Sequence, residues 1–257
     1  MFRKRKQPVF ETPVLVVDAL GVTQLIKTSD EAALVSLADR LDSNYLRFRQ
    51  TMPQRIIITW GKKVSGTKEF NCFRLNDMFI VYAENVDEDV SLKYLVAAGL
   101  CFQALLLDGF IPRGGLGWGL VHARNDSLIG KGFLDAYGAA EKRDSATNDI
   151  CAIKVSQDFL ATVPRNAHCY RLMCFYRGEF FINPTFLTDP VFGDFSNDRI
   201  IELLIAAGIN DRKLEATRAF LEGFEDYDSA LKPDSDSQAF FSRRALDGVA
   251  DGGMDEK

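Results

Sequence analysis

The sequence predicts an α+β protein in which helices lie against a mixed β-sheet. Three observations predict this class. Residues 14–17 form a continuous run of branched apolar residues, typical of a strand buried on both faces. Residues 70–83 have the pattern of a hairpin with a tight turn. Long segments with apolar residues at three-to-four spacing, typical of amphipathic helices, alternate with these strands.

The remaining elements follow from the same two periodicities. The predicted strands, in order, are 14–17, 55–60, 70–75, 78–83, 111–123, 150–155, 167–176 and 179–182. The predicted helices are a short one that opens at Thr23, then 31–48 capped by Ser29, 89–107, 133–142, 197–207 and 211–224. The polar residues 61–68 are predicted to form a loop.

No linker composition divides the 257 residues, so we expect one domain with two appendages. Residues 1–12 are interpreted as a flexible lead and 13–227 as the domain. Residues 228–257 are rich in Asp, Ser, Gly and Ala, which is typical of a mostly disordered tail. Within that tail, Phe240 and Phe241 are a candidate docking point.

Composition excludes several function classes. The formal net charge of −5 argues against a general nucleic-acid-binding surface. The five cysteines are odd in number and form no CxxC pair, which favours reduced thiols in the core. The basic N-terminus is not followed by a signal-type apolar core, and no apolar run reaches the ~20 residues that a membrane span needs. We therefore predict a cytoplasmic protein without stable membrane insertion.

The first strand carries the first chemical candidate. Asp18 follows the apolar run directly, and Gly21 then allows a tight turn into a helix that opens at Thr23. A carboxylate at the end of a buried strand is costly unless a cation offsets its charge. The backbone N–H groups of a helix start can bind an anion. The stretch therefore suggests a metal–triphosphate site, although an ordinary Asp that caps the next helix is the alternative.

Asp77, in the predicted turn of the hairpin, is the second candidate. If the hairpin lies beside the first strand, Asp77 and Asp18 fall at the same edge of the sheet. Two carboxylates and the main-chain oxygen of Ala19 would form an all-oxygen site suited to Mg²⁺ or Mn²⁺. Two such ions that hold a triphosphate are the usual arrangement for in-line attack on a phosphate.

Four segments in this order resemble the class III nucleotidyl cyclases. Asp18-Ala-Leu-Gly-Val-Thr23 is similar to the family's Asp-x-x-Gly-Phe-Thr metal motif, and Leu75-Asn-Asp77 to its Ile-Gly-Asp segment. Arg113-Gly-Gly-Leu-Gly-Trp-Gly119 is similar to its Arg-x-Gly-Ile-x-x-Gly strand. Ile129-Gly130, with the helix that follows, corresponds in position to its Phe-Gly-x-x-Val-Asn segment. The resemblance covers about residues 12–145.

The resemblance implies a ferredoxin-like, palm-type sheet in a homodimer with active sites between the protomers. Asp18, Asp77 and the Ala19 carbonyl would hold two Mn²⁺ or Mg²⁺ ions. The backbone N–H groups of Leu20, Gly21, Val22 and Thr23 would bind the β- and γ-phosphates of a nucleoside triphosphate. The ribose 3′-oxygen would attack the α-phosphate and release pyrophosphate.

The departures from the family pattern bear on the base and on the transition state. Phe73 stands where ordinary members carry a base-reading Lys or Glu, and Ser127 stands at their second base contact. Phe73 would wall a smaller base pocket, although a strand Phe is usually a core residue. The family's transition-state Asn and Arg would fall on Leu134 and Gly138, so both are missing.

Another cation must then stabilise the charge that develops in the transition state. Lys142 and Arg143 follow the predicted helix 133–142, and Arg113 opens the glycine-rich strand. The alternatives are favourable charge at a helix C-terminus for Lys142 and Arg143 and a structural salt bridge for Arg113.

The helix Phe-Leu-Asp-Ala-Tyr-Gly-Ala-Ala-Glu-Lys at 133–142 is similar to that of the Pycsar pyrimidine cyclases, which are compact bacterial anti-phage enzymes. The resemblance implies UTP, ahead of CTP, as substrate and a cyclic nucleotide product that a separate effector protein reads. Two rival hypotheses stay open: a cyclase-like dimer that senses a nucleotide without turnover, and a palm-type cyclic-dinucleotide synthase. The lack of a Gly-Gly-Asp/Glu-Phe hairpin counts against the synthase.

Overall fold

A computed structural model describes residues 9–60, 70–84, 86–124, 127–164, 167–186 and 195–226 of the protein. The described strands are β1 (Val9–Leu20), β2 (Asn71–Leu75), β3 (Met78–Tyr82), β4 (Ile111–Arg124), β5 (Ser127–Gly130), β6 (Ile153–Val155), β7 (Met173–Tyr176), β8 (Glu179–Ile182) and β9 (Glu225–Asp226). The described helices are α1 (Val22–Thr28), α2 (Glu31–Trp60), α3 (Val90–Leu107), α4 (Lys131–Glu141), α5 (Gln157–Leu160), α6 (Ala167–Arg171), α7 (Asn197–Ala206) and α8 (Asp211–Gly223).

The nine strands form one mixed sheet in the order β2-β3-β1-β4-β6-β8-β7-β9, with β5 paired to β4 off this path. β4 and β6 run parallel, and the other pairs run antiparallel. All twelve residues of β1 pair with β4, from Val9 opposite His122 to Leu20 opposite Ile111. The α+β class predicted from the sequence is therefore confirmed, and β1 lies near the centre of the sheet.

Alternation along β1 separates two faces of the sheet. Leu15, Val17 and Ala19 belong to a large buried cluster that extends through α3, whereas Val14 and Val16 belong to a second, smaller cluster. We call the face of the large cluster the first face and the other the second face. Sixteen of the 18 residues of α3 are buried, so this apolar helix is the core of the first face.

Glycines in β4 place α4 directly on the second face. A Cβ on Gly115 would lie 2.1 Å from the carbonyl oxygen of Ala136, and one on Gly117 would lie 2.3 Å from the Ala136 nitrogen. Any larger residue at these two positions would force the helix and the strand apart. The glycine-rich composition of β4 therefore fixes the close packing of α4.

The structure corrects three of the predicted elements. Residues 55–60 are the last part of α2 rather than a strand, and in the described sheet β2 forms the edge that such a strand would have to join. β-Branched residues are common in strands because they fit a half-buried pleated surface, but this strand preference depends on context and does not determine the structure of these residues. Residues 167–176 divide into α6 and β7, since β8 offers β7 only four residues to pair with. Residues 9–12 belong to β1 and not to a flexible lead.

Most of the other predicted elements are confirmed within a few residues at their ends. The hairpin of β2 and β3 and the helices α3, α4, α7 and α8 lie where the sequence places them. The predicted loop 61–68, the first eight residues and the tail from 228, with Phe240 and Phe241, lie outside the described residues.

Among the described helices, α3 alone is long and apolar enough to cross a membrane. However, 89% of it is buried inside the protein, which is typical of the core helix of a soluble protein.

Candidate functional site

Asp18 lies on the second face, near the end of β1. It is half-buried, and its Cα pairs with Met78 of β3 on one side and with Arg113 of β4 on the other. Val14 and Val16 precede it at two-residue spacing, so the Asp18 side chain shares their face of the sheet. The strand that the apolar run predicts therefore carries this carboxylate to a position between two neighbouring strands.

Asp77 comes to the same edge through the hairpin of β2 and β3. Asn76 adopts a left-handed backbone conformation (φ 55°), which Asn tolerates well, and so allows the tight turn. The carbonyl oxygen of Asp77 accepts a hydrogen bond from the N–H group of Ala19, at 3.1 Å. The two acids that the sequence proposed as partners thus flank a direct contact between β1 and the hairpin turn.

The pKa of Asp18 reflects this crowding. The pKa of Asp18 is raised to about 6, first by burial and then by the negative charges of Asp77 and Glu141, while Arg113 and Lys213 act in the opposite direction. The ionised carboxylate is therefore destabilised by its surroundings. A bound cation would reverse that imbalance, because opposite charge within a few ångströms favours the ionised form.

The donor atoms at this edge fit a hard divalent cation. Two carboxylates and the Ala19 carbonyl offer oxygen only, which suits Mg²⁺ or Mn²⁺. Among the described residues, no three His, Cys, Asp or Glu side chains group closely enough to form a ligand set by themselves. A metal at this edge would thus depend on main-chain and substrate oxygens as well as on Asp18 and Asp77.

The turn from β1 to α1 is tight, as the predicted phosphate-binding site at the start of α1 requires. Gly21 adopts φ +91°, a value that a residue with a Cβ reaches only with strain. The N–H group of Leu25 bonds the carbonyl of Gly21 at 3.0 Å, so the helical hydrogen bonds begin there. The N–H groups of Val22 and Thr23 precede that first bond, and those of a helix start have no intrahelical partner.

Arg113 has its guanidinium turned toward the end of α4. Its Nε and Nη2 donate to the Ala140 carbonyl at 3.1 and 2.8 Å, and Nη2 also donates to the Asn148 side chain at 3.4 Å. The alternative role considered for Arg113 is a structural salt bridge. The structure instead shows hydrogen bonds to a carbonyl at the end of a helix. This contact holds α4 beside Asp18, and the positive charge of Arg113 still acts on that carboxylate.

Arg143 has a buried guanidinium, although the residue as a whole is half-buried. It donates to the carbonyls of Ile150 (2.7 Å), Ala152 (2.6 Å) and Gly114 (2.9 Å). Its pKa is lowered to about 9, first by burial and then by the positive charge of Arg113. These contacts tie β4 to the segment before β6. They account for Arg143 as a structural group, and they lend no support to the transition-state role predicted for it.

Lys142 is exposed at the C-terminus of α4. It lines a cleft of about 380 Å³ together with Leu134 and Gly138, the positions where the resemblance places the missing Asn and Arg. The same cleft contains Lys154, whose ammonium is paired with Glu179. Lys142 is therefore the exposed cation of this cleft and keeps its place as a candidate.

Phe73 lies on the second face, opposite Ile80. It is half-buried, and its ring contacts that of Tyr82 edge-on, with 6.4 Å between centroids. Its side chain packs against the small cluster, as the alternative of a core residue requires, and it also shares the face of Asp18. From this position the Phe73 ring could also form one wall of a pocket for a small base.

Sequence reasoning missed Glu141 and Lys213, which both act electrostatically on Asp18. Glu141 is the last residue of α4, and the resemblance to the class III cyclases assigns it no role. Lys213 lies on α8, nearly two hundred residues after Asp18, and no local pattern connects the two.

A comparison with protein-family models finds no match for the chain, and a comparison with curated proteins finds none either.

Proposed function

We propose that the protein is a class III-type pyrimidine nucleotide cyclase that converts UTP, ahead of CTP, into a 3′,5′-cyclic nucleotide and pyrophosphate. One observation carries the proposal: β1 and the β2–β3 hairpin bring Asp18 and Asp77 to one edge of the sheet. The mutual repulsion of these carboxylates is what a pair of divalent cations would relieve.

Mn²⁺ or Mg²⁺, when bound, supplies Lewis-acid activation of the ribose 3′-hydroxyl and neutralises the triphosphate. Asp18, Asp77 and the Ala19 carbonyl are the residues that would hold the two ions. The N–H groups of Leu20 to Thr23 orient the β- and γ-phosphates. The bond between the 3′-oxygen and the α-phosphorus forms as the bond to the bridging oxygen breaks. The electron pair leaves with pyrophosphate, and the 3′-proton passes to solvent.

A homodimer is the assembly we propose, because the second face is incompletely covered. Leu134 and Tyr137 of α4, the helix that covers this face, are 66% and 40% exposed. A second copy that packs on α4 would bury these side chains.

The biological role that follows is signalling in the cytoplasm of a bacterium under phage attack, with the cyclic nucleotide read by a separate effector protein. This role rests on the resemblance of residues 133–142 to the Pycsar helix and on the half-buried Phe73 beside the site. No nucleic acid is expected as a partner, given the net charge of −5.

The test is incubation of the purified protein with ATP, GTP, CTP or UTP and Mn²⁺, followed by mass identification of products. We expect cyclic UMP, or cyclic CMP, from the wild type and no product from Asp18→Ala. Asp39→Ala, which removes an exposed acid of α2, is the matched control and should keep full activity. Turnover by Asp18→Ala at the wild-type rate would contradict the proposal.

The second candidate function is a nucleotide-sensing dimer without turnover. It is favoured by Leu134 and Gly138, which offer no polar group at the two transition-state positions of the family. Nucleotide and metal that bind tightly without any cyclic product would favour this alternative.

A further inference from the structure

The start of α8 is fixed beside the segment that leads into β6. Thr217 accepts a hydrogen bond from the N–H group of Cys151 at 3.0 Å, and Arg212 pairs with Asp149 at 2.6 Å. Asn210 caps the helix by accepting a bond from the N–H group of Lys213 at 3.0 Å. The same segment bonds β4, through the N–H group of Gly114 and the carbonyl of Ala152 at 3.2 Å. The first turn of α8 is thus held close to the end of β4 that faces Asp18.

Lys213 lies one helical turn before Thr217 and so on the same side of α8. Its positive charge acts on both Asp18 and Cys151, in agreement with the position of the first turn of α8 near the end of β1 and the start of β6. It is half-buried, whereas its neighbour Arg212 has a side chain that is 78% exposed.

Within the described part of the chain, the Lys213 ammonium has neither a hydrogen bond nor an ion pair with another side chain. Partial burial of an unpaired ammonium is costly, because the group loses water without gaining a partner. The other cation near Asp18, Arg113, already donates to the Ala140 carbonyl. Lys213 is therefore the cation at this edge whose donors are available to a ligand.

We propose that Lys213 binds the phosphate chain of the nucleotide at the Asp18 edge and holds the pyrophosphate as it leaves. This rests on the proposed function in naming a nucleoside triphosphate, but the ligand chemistry it requires is polyphosphate alone. As the bond between the α-phosphorus and the bridging oxygen breaks, the electron pair passes to the pyrophosphate oxygen. The ammonium stabilises that negative charge by direct contact.

The first measurement is calorimetric titration of the full chain with tripolyphosphate and Mg²⁺. We expect Lys213→Ala to weaken binding by about tenfold, equivalent to the loss of one charge-assisted contact. Lys213→Arg should retain most of the affinity, and Arg218→Ala, the matched loss of an exposed cation on the same helix, should leave it unchanged. Lys213→Gln serves as the second neutral variant if the alanine variant does not fold.

A merely neutralising role for Lys213 predicts a different result. In that case its removal would change Mn²⁺ affinity in the absence of phosphate and leave tripolyphosphate affinity as in the wild type. That result would overturn the proposal, as would a wild type that does not bind tripolyphosphate.

The nucleotide assay separates this proposal from the proposed function. Tripolyphosphate binding that depends on Lys213, in a wild type that forms no cyclic product, would keep the phosphate contact and reject the cyclase. Cyclic product formed by Lys213→Ala with wild-type kcat and KM would keep the cyclase and reject the phosphate contact.

Discussion

The two faces of the sheet are built differently. On the first face, α3 is almost wholly buried, and the large cluster around it extends to α7 and α8. The second face is covered by α4 near β4, while Phe73 and Met78 at its β2–β3 side remain half-buried. The candidate site lies on this incompletely covered face. The difference indicates that the first face stabilises the fold and that the second face is available for a ligand and a partner.

The largest expected effect is at the candidate site on the second face, where a substitution should remove most of the turnover and leave the fold intact. We expect Asp77→Asn to reduce kcat on the order of a thousandfold, because a metal contact contributes several kcal/mol to transition-state stabilisation. The thermal transition should stay within a few degrees, since Asp77 lies in a turn at the surface of the sheet. Steady-state kinetics measures the loss of kcat, and a melting curve measures the thermal transition.

The next effect concerns the surface that a second copy would cover. Leu134→Glu puts a charge on the most exposed apolar residue of α4 and should convert the proposed dimer to monomer, with loss of turnover. Ile205→Glu is the matched control, because Ile205 is also more than half exposed but lies on α7. Light scattering of both variants measures the mass. An unchanged dimer in Leu134→Glu would show that partners meet elsewhere.

A smaller effect compares two glycines of the second face. Gly117→Ala forces a Cβ against the backbone of α4 and should destabilise the protein by about 1–3 kcal/mol, as overpacking does. Gly138→Ala, on the open side of α4 with nothing within 4 Å of its Cβ, should stabilise the helix by up to about 1 kcal/mol. Urea denaturation measures both values. Equal effects at the two positions would contradict the close packing of α4 on β4.

The smallest effect is a pH dependence that belongs to Asp18 in the metal-free protein. The folded-state pKa of about 6 lies above the ordinary value of 3.8 for an aspartate, so the folded state binds the proton more tightly. This contribution to stability is fully present below about pH 4 and is lost as pH rises through 6. Asp18→Asn should remove that dependence. Unfolding free energies measured between pH 4 and 7 with chelator present check it.

The sequence predicted the parts of this fold that depend on short-range patterns. The apolar run at 14–17, the turn at Asn76–Asp77 and the glycines of β4 each gave the right element, because backbone geometry and alternation determine them locally. The sequence also predicts that Asp18 and Asp77 lie at the same edge of the sheet, because a hairpin and a nearby strand often pair.

Other parts could not be predicted because they depend on distant partners. Residues 55–60 have the composition of a strand, yet they continue α2. The guanidinium of Arg143 is fixed by three carbonyls that no motif connects to it. The charge of Lys213 acts on Asp18 only because α8 packs beside Cys151. Electrostatic neighbours of this kind follow from tertiary packing and not from spacing along the chain.

The central claim is that Asp18 and Asp77 together hold divalent cations with a nucleoside triphosphate. Its most direct test is a Mn²⁺ titration followed by electron paramagnetic resonance, with and without UTP, on the wild type and on Asp18→Asn/Asp77→Asn. We predict two bound ions per protomer in the wild type with UTP and none held tightly by the double variant. The same number of ions bound by both proteins would contradict the claim.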